Sequence, residues 1–350
     1  MATPLDKLER LAAIAQIQKT GEIRGRSLTS DALRRLCRNR AAMIGAISII
    51  ISVFVALLAP SIAPKAFDDA LLPDSNSAPL WLTKVFPSMK PIGEEGGYIK
   101  VNNSYLLGAD GLGRDLLSRI IYGTRISLSI AIVAPLISII LGLLVGLIAG
   151  YKGGRVDDVL MRFVDIMYAF PTYLLIILLM AVFRLGSGQV EPGSLTYALG
   201  KLDVAMGGLL FIFIGIGLTA WMSAARLVRG QVLSVRENDY VLAAYALGAP
   251  TTRIILRHIL PNILGPLIIA QTLDIPTYIS YEAFLSFIGL GVNPPTPSWG
   301  GMIAEGAQVI QSNPNQAIFP AMALFVLIFA FNFLGDGLRD ALDPTLRGRE

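Results

Sequence analysis

Asp239-Tyr-Val-Leu-Ala-Ala-Tyr-Ala-Leu-Gly-Ala-Pro-Thr-Thr-Arg-Ile-Ile-Leu-Arg-His-Ile-Leu-Pro261 reads as a short apolar helix, a break, and a basic second stretch, set between two long apolar runs. Tyr240 to Leu247 is Ala-rich and made of good helix formers. Asn238 or Asp239 is placed to cap its start, because a short polar side chain accepts from free backbone N–H groups there. Gly248 ends it, and Pro250 blocks direct continuation. Arg253, Arg257 and His258 follow on the second stretch, which closes at Pro261. On its residues alone the segment is either a docking element, because exposed apolar surface marks a partner, or an ordinary interfacial helix.

The flanking runs set the fold class. The chain of 350 residues is 54% hydrophobic and 15% charged, with a mean hydropathy of +0.62. Soluble domains carry about 25% charged residues, so this composition is built for lipid. Six runs approach or exceed the roughly 20 helical residues needed to cross a bilayer: 41–60, 126–150, 166–183, 207–225, 263–288 and 318–334. Unpaired backbone groups are not tolerated in lipid, so the expectation is an all-α integral membrane protein with six transmembrane helices.

Lys and Arg set the orientation. Of the 29, twenty fall on the side of the N-terminal arm and nine on the other. By the positive-inside rule the richer side is cytoplasmic, and both termini lie there. The expected organisation is a cytoplasmic arm (1–40), a first span (41–60), an extracytoplasmic loop with an amphipathic segment (61–125), a five-helix core (126–335) carrying the cytoplasmic loop 238–261, and a cytoplasmic tail (336–350). The first long apolar run begins near Ala41 and is too long for a signal h-region, so no cleavable signal is expected. The net charge of +4 follows from topology and is no sign of nucleic acid. One Cys, Cys37, and one His, His258, exclude an internal disulfide and a Cys- or His-rich metal site.

A second pattern precedes the second span: Leu107-Gly-Ala-Asp-Gly-Leu-Gly-Arg-Asp-Leu-Leu-Ser-Arg-Ile-Ile-Tyr-Gly-Thr-Arg-Ile-Ser-Leu128. Asp110 is a candidate cap, Gly113 permits a tight turn, and Arg114, Asp115, Arg119 and Arg125 alternate with apolar residues as on an outer interfacial helix. Gly335-Asp-Gly-Leu-Arg-Asp-Ala-Leu-Asp-Pro344 closes the last span. Span five carries Asp274, Tyr278, Tyr281 and Glu282 at helical spacing on one face. Carboxylates at that depth face protein or a watery path, which leaves a pathway wall and a hydrogen-bonded helix contact both open. Arg162 and Asp165, three apart, read as a surface ion pair. Gly142 and Gly146 have the small-xxx-small spacing of close helix packing.

These motifs resemble the permeases of ABC importers. Ala243, Ala244, Gly248, Leu260 and Pro261 match the family's coupling loop, with Leu242 in place of its Glu and His258 in place of its Ile. Gly108, Asp110, Gly113, Arg114, Asp115, Ser118, Arg119, Gly123 and Arg125 match a segment of the dipeptide, oligopeptide and nickel branch. Gly25-Arg-Ser27 and the basic run at 34–42 are most similar to the second permease subunit of oligopeptide importers. The resemblance implies a type I importer permease fold in a bacterial cytoplasmic membrane. It implies a homologous second permease, two ATPase subunits that hold ATP and Mg, and an extracytoplasmic substrate-binding protein. Tyr240, Ala243, Ala244, Gly248, Arg253, Arg257, His258 and Pro261 would form the ATPase-coupling loop. The sequence has no Gly-x-x-x-x-Gly-Lys-Ser/Thr loop, so no cofactor is expected on this chain and hydrolysis falls to partners. Peptides are the implied cargo, oligopeptides ahead of dipeptides or nickel complexes. The first rival, a self-sufficient secondary carrier, would need internal repeats that the sequence lacks; the second, an intramembrane enzyme, has only His258 and no paired catalytic motif to draw on.

Overall fold

A computed structural model describes residues 28–186 and 194–342. The N-terminal motif Gly25-Arg-Ser27, most of the arm, and the tail beyond Leu342 lie outside the described residues. In chain order the helices are α1 (Leu28–Arg38), α2 (Arg40–Ile62), α3 (Leu80–Val85), α4 (Leu116–Lys152), α5 (Gly154–Tyr168), α6 (Thr172–Gly186), α7 (Leu195–Ala205), α8 (Leu210–Val235), α9 (Asp239–Ala246), α10 (Thr251–Ile254), α11 (Leu260–Phe287), α12 (Trp299–Ala307) and α13 (Asn315–Leu342). A π-turn, Ile255–Ile259, joins α10 to α11.

Among the described residues, five helices are long and apolar enough to cross a membrane: α2, α4, α8, α11 with its lead-in, and α13. The third expected span, 166–183, is not one straight helix. It falls across α5 and α6, which bend by 79° and count as a sixth span only if taken together. The cause is Ala169-Phe170-Pro171: proline lacks an N–H and disfavours helical geometry at the residue before it.

The helices α4 and α8 form the spine. Gly142 and Gly146 lie against α8, where an added Cβ would come within 2.5 Å of Ala224 Cβ and 2.6 Å of the Ala225 carbonyl oxygen. Close approach at small residues is how helices associate where water does not drive them together. On α8, Arg229 grips Asp157 of α5 at 2.5 and 2.6 Å. Asp165 pairs with Arg226 of α8 at 2.6 Å and not with Arg162, because α5 lies along α8 and brings that guanidinium across. The α2 helix starts at an Asn39 cap that accepts from the Ala42 N–H at 3.2 Å. It packs on α13 and leaves Ile44, Ile47, Ile51, Phe54 and Leu57 exposed, a lipid-facing surface.

Residues 63–115 are more ordered than their weak periodicity suggests. Ala78, Leu82, Met89 and Ile99 form a small core of their own, covered by Phe86 and Phe319. Side-chain amides clamp this unit to the start of α13: Gln316 donates to Asn76 Oδ1 at 2.8 Å and Asn315 to the Leu107 carbonyl at 2.9 Å. The chain has one polar cap at this end and the α9–α10 loop at the other, with the spans between.

Candidate functional site

The α9–α10 loop is a packed protrusion with an apolar outer face. Val241, Ile254 and Ile259 anchor it by burial against Val232 and Val235 of α8. Tyr240, Leu242 and Tyr245 are about half exposed, and Leu247 at the tip is 87% exposed. Of the loop residues singled out, Tyr240, Ala243, Gly248, Arg253, Arg257 and Pro261 reach the surface, while Ala244 and His258 are half-buried. Asn238 occupies the cap position but caps nothing: its amide donates to Tyr240 Oη at 3.4 Å. Gly248 takes φ +72°, and its N–H donates to the Tyr245 carbonyl at 2.9 Å, which ends α9 in the left-handed turn glycine adopts freely. Pro261 cannot donate into the helix, and the backbone before it widens into the π-turn that carries Arg257 and His258.

Two tyrosines tie this loop to the spine. Tyr245 Oη donates to Tyr151 Oη at 2.5 Å, and the rings stack 6.4 Å apart. That bond, helped by burial, pushes the Tyr245 hydroxyl up to about 12, so it stays a neutral donor. Nearby, Arg236 donates to the Gly150 carbonyl at 2.9 Å, satisfying an orphan group at the end of α4.

At the opposite end the expected interfacial helix is not a surface helix. Its residues from Leu116 onward are the first turns of α4. Asp115 caps that helix, accepting from the Ser118 N–H at 2.8 Å. Asp110, Arg114 and Arg119 are buried. Asp110 accepts from Arg114 Nε at 2.7 Å and from Arg119 Nη1, while Glu305 of α12 receives Arg119 at 2.8 Å and Arg114 at 3.2 Å. Two cations and two carboxylates thus cancel, with Asp110 and both arginines buried and Glu305 half exposed at the rim, each guanidinium bridging both acids. Gly113, at φ +77°, makes the turn, and a Cβ there would lie 1.9 Å from the Leu71 carbonyl oxygen. Arg125 stands apart, exposed and without an ion pair among the described residues. The cluster borders a cavity of about 380 Å³ that also meets Ser286, Ser298 and Met302.

A second cavity, of about 270 Å³, opens at the α5–α6 bend. Asp274, Tyr278 and Tyr281 of α11 face Tyr168 and Phe170 at the bend and Thr219 and Ser223 of α8. Glu282 is not among them. It points the other way, fully buried, accepting from Ser286 Oγ at 2.7 Å. On an ideal helix Glu282 already stands about 80° round from Asp274, and α12 packs against its side of α11.

The comparisons with known proteins bear on this geometry. Residues 142–348, more than half of the chain, match the family described as the binding-protein-dependent transport system inner membrane component. This chain belongs to that family. Residues 27–79 of the permease match the N-terminal transmembrane domain of oligopeptide transport permease C. The permease is 39% identical to the oligopeptide transport system permease protein OppC of Haemophilus influenzae, over 93% of this chain and 91% of that one. It is 35% identical to the Bacillus subtilis protein of the same name, over 98% of both. It is 37% identical to the dipeptide transport system permease protein DppC of Bacillus subtilis, over 92% of this chain and 87% of that one. A solved structure of the MetNI methionine ABC transporter in inward-facing conformations shares the fold, with a TM-score of 0.51 at 18% identity, covering 65% of this permease and 98% of that chain.

Several residues that build these sites were not singled out in the sequence. Glu305 supplies the second carboxylate of the charge cluster from its exposed rim, and Tyr151 is the anchor for Tyr245. Neither has a local signal, because each acts across more than 90 positions of chain. Phe170-Pro171 did carry one: a proline inside a hydrophobic run of span length.

Proposed function

We propose that this permease is one of two related membrane subunits of an ATP-driven peptide importer, in which it forms half of the translocation path. The observation that carries the reading is α9: a short helix, rigidly anchored, whose Tyr240, Leu242, Tyr245 and Leu247 project apolar surface out of the molecule. Such a patch calls for a complementary groove. In this reading the groove belongs to an ABC ATPase on the cytoplasmic side, where the Lys and Arg excess places the loop. Two ATPases hold ATP and Mg. Their closure moves the loops as rigid bodies and switches the spans between inward- and outward-open states. Tyr151–Tyr245 and Arg236–Gly150 transmit that motion to α4. A substrate-binding protein delivers cargo at the opposite end, beside the Asp110–Arg119–Glu305 cluster. The names of the relatives support peptides as cargo, and the match of residues 27–79 favours oligopeptides.

The test is to purify tagged permease in mild detergent and identify what accompanies it. A second permease and P-loop ATPases are expected. A monodisperse chain, alone and transporting on an ion gradient, would sink the reading.

A further inference from the structure

The cavity at the bent span holds a carboxylate without a cation. Asp274 stands fourteen residues from Leu260 and thirteen from Phe287 along α11. At 1.5 Å per residue that is about 20 Å from either end. A carboxylate at such depth is costly unless water, an opposite charge or a ligand meets it. Among the described residues Asp274 makes no ion pair. Arg226, which lies 4.4 Å over the Tyr168 ring, is committed to Asp165.

Three of the surrounding hydroxyls, those of Tyr278, Thr219 and Ser223, have their protons committed away from the cavity. Tyr278 Oη donates to Gln271 Oε1 at 3.2 Å, and Gln271 Nε2 donates to Asp274 Oδ2 at 3.2 Å, which fixes the carboxylate and uses the phenol proton. Thr219 Oγ1 donates to its own helix at Ile216 O, 3.0 Å, and Ser223 Oγ to Ala220 O at 3.1 Å. Both hydroxyls therefore turn lone pairs to the cavity. Tyr281, held edge-on by Tyr173 at 4.9 Å, adds an aromatic face. A carboxylate, hydroxyl lone pairs and ring faces together suit a cation with several N–H donors. At about 270 Å³ the cavity is smaller than the roughly 300–1,000 Å³ of sites that enclose whole drug-sized ligands, so it takes one end of a longer molecule.

We propose that this cavity binds a primary ammonium group on Asp274, namely the α-ammonium of a peptide in transit. The inference rests on the reading of the chain as a peptide-importer subunit. Asp274 thereby selects for a free amino terminus inside the membrane, independently of the delivering protein.

The test uses the assembled importer without its binding protein, so delivery cannot bias the result. Two photo-reactive probes are compared: Ala-benzoylphenylalanine-Ala, and the same peptide N-acetylated. In the wild-type importer the free-amine probe is expected to label the permease at least roughly tenfold better, the value of one charge-assisted hydrogen bond. Asp274→Asn removes that preference, and Asp274→Glu keeps most of it. Equal labelling by both probes in the wild type, or a loss of both alike in Asp274→Asn, overturns the proposal. So does release of the second permease from the Asp274→Asn complex, which would make Asp274 an interface group. ATP-driven peptide uptake by the wild-type importer in vesicles is read separately. Its absence would overturn the functional reading, whatever the labelling shows.

Discussion

Tyr245 of α9 and Tyr151 of α4 share a hydrogen bond of 2.5 Å across 94 positions of sequence. It is a polar link between the protruding loop and α4. Removing a neutral hydrogen bond costs about 1 kcal/mol. Tyr245→Phe is expected to lower peptide uptake per ATP hydrolysed by several-fold, with no loss of assembled complex. Equal ratios in mutant and wild type would show that the link transmits nothing. The pH dependence has a definite sign. The folded-state value of about 12 stands above the ordinary 10.0, so the neutral phenol is favoured by folding. Its contribution is complete below pH 10 and is lost as pH rises towards 12. Tyr245 should therefore contribute no titration to uptake between roughly pH 6 and 9.

The Asp110–Arg119 pair makes a stronger demand. Both side chains are buried, and Asp110 also holds the backbone N–H groups of Leu112 and Arg114 at 2.9 and 3.0 Å. Breaking a buried pair by removing one partner costs about 3–5 kcal/mol, because the other charge is left uncompensated. Asp110→Asn and Arg119→Ala should each lower the melting temperature of the purified complex by several degrees. Arg125→Ala, at the exposed position of the same motif, should leave it unchanged. Matched behaviour of all three variants would mean the cluster does not stabilise the fold.

Gly142 and Gly146 test the spine. A side chain at either meets Ala224, Ala225 or Val228 of α8 within 2.7 Å. Gly146→Leu should part the helices and give aggregated protein by size exclusion, since overpacking costs about 1–3 kcal/mol or more. The same change at Gly230, where a Cβ meets nothing within 4 Å, should be tolerated.

Much of the architecture was legible in the sequence where one local rule decides. The apolar runs at 41–60 and 318–334 became α2 and α13 because length and hydropathy alone select a spanning helix. Gly248 and Pro250 ended α9 for local steric reasons. What failed was non-local. Arg114 and Arg119 alternate with apolar residues as on a surface helix, yet Glu305 and Asp110 neutralise them and permit burial. Glu282 shares a helical wheel with Asp274, but α12 packs against its side of α11 and takes it out of the cavity. Asn238 holds the cap position, but its side-chain oxygen accepts no backbone N–H of α9. Membership of the permease family rests on the motifs and relatives; the division of labour between the two cavities needed the three-dimensional structure.

Gly248→Arg is the most direct test of coupling through α9. A Cβ at Gly248 would meet no atom within 4 Å, so arginine projects into the space outside the molecule, where an ATPase would sit. The strained φ of +72° is shared by Gly248→Ala, which isolates that cost of about 1–2 kcal/mol from the effect of bulk and charge. The measurement is ATP hydrolysis and peptide uptake together, in vesicles holding the assembled importer. The account predicts that Gly248→Ala transports, while Gly248→Arg inserts and assembles but no longer converts hydrolysis into uptake. Wild-type uptake by Gly248→Arg would contradict it.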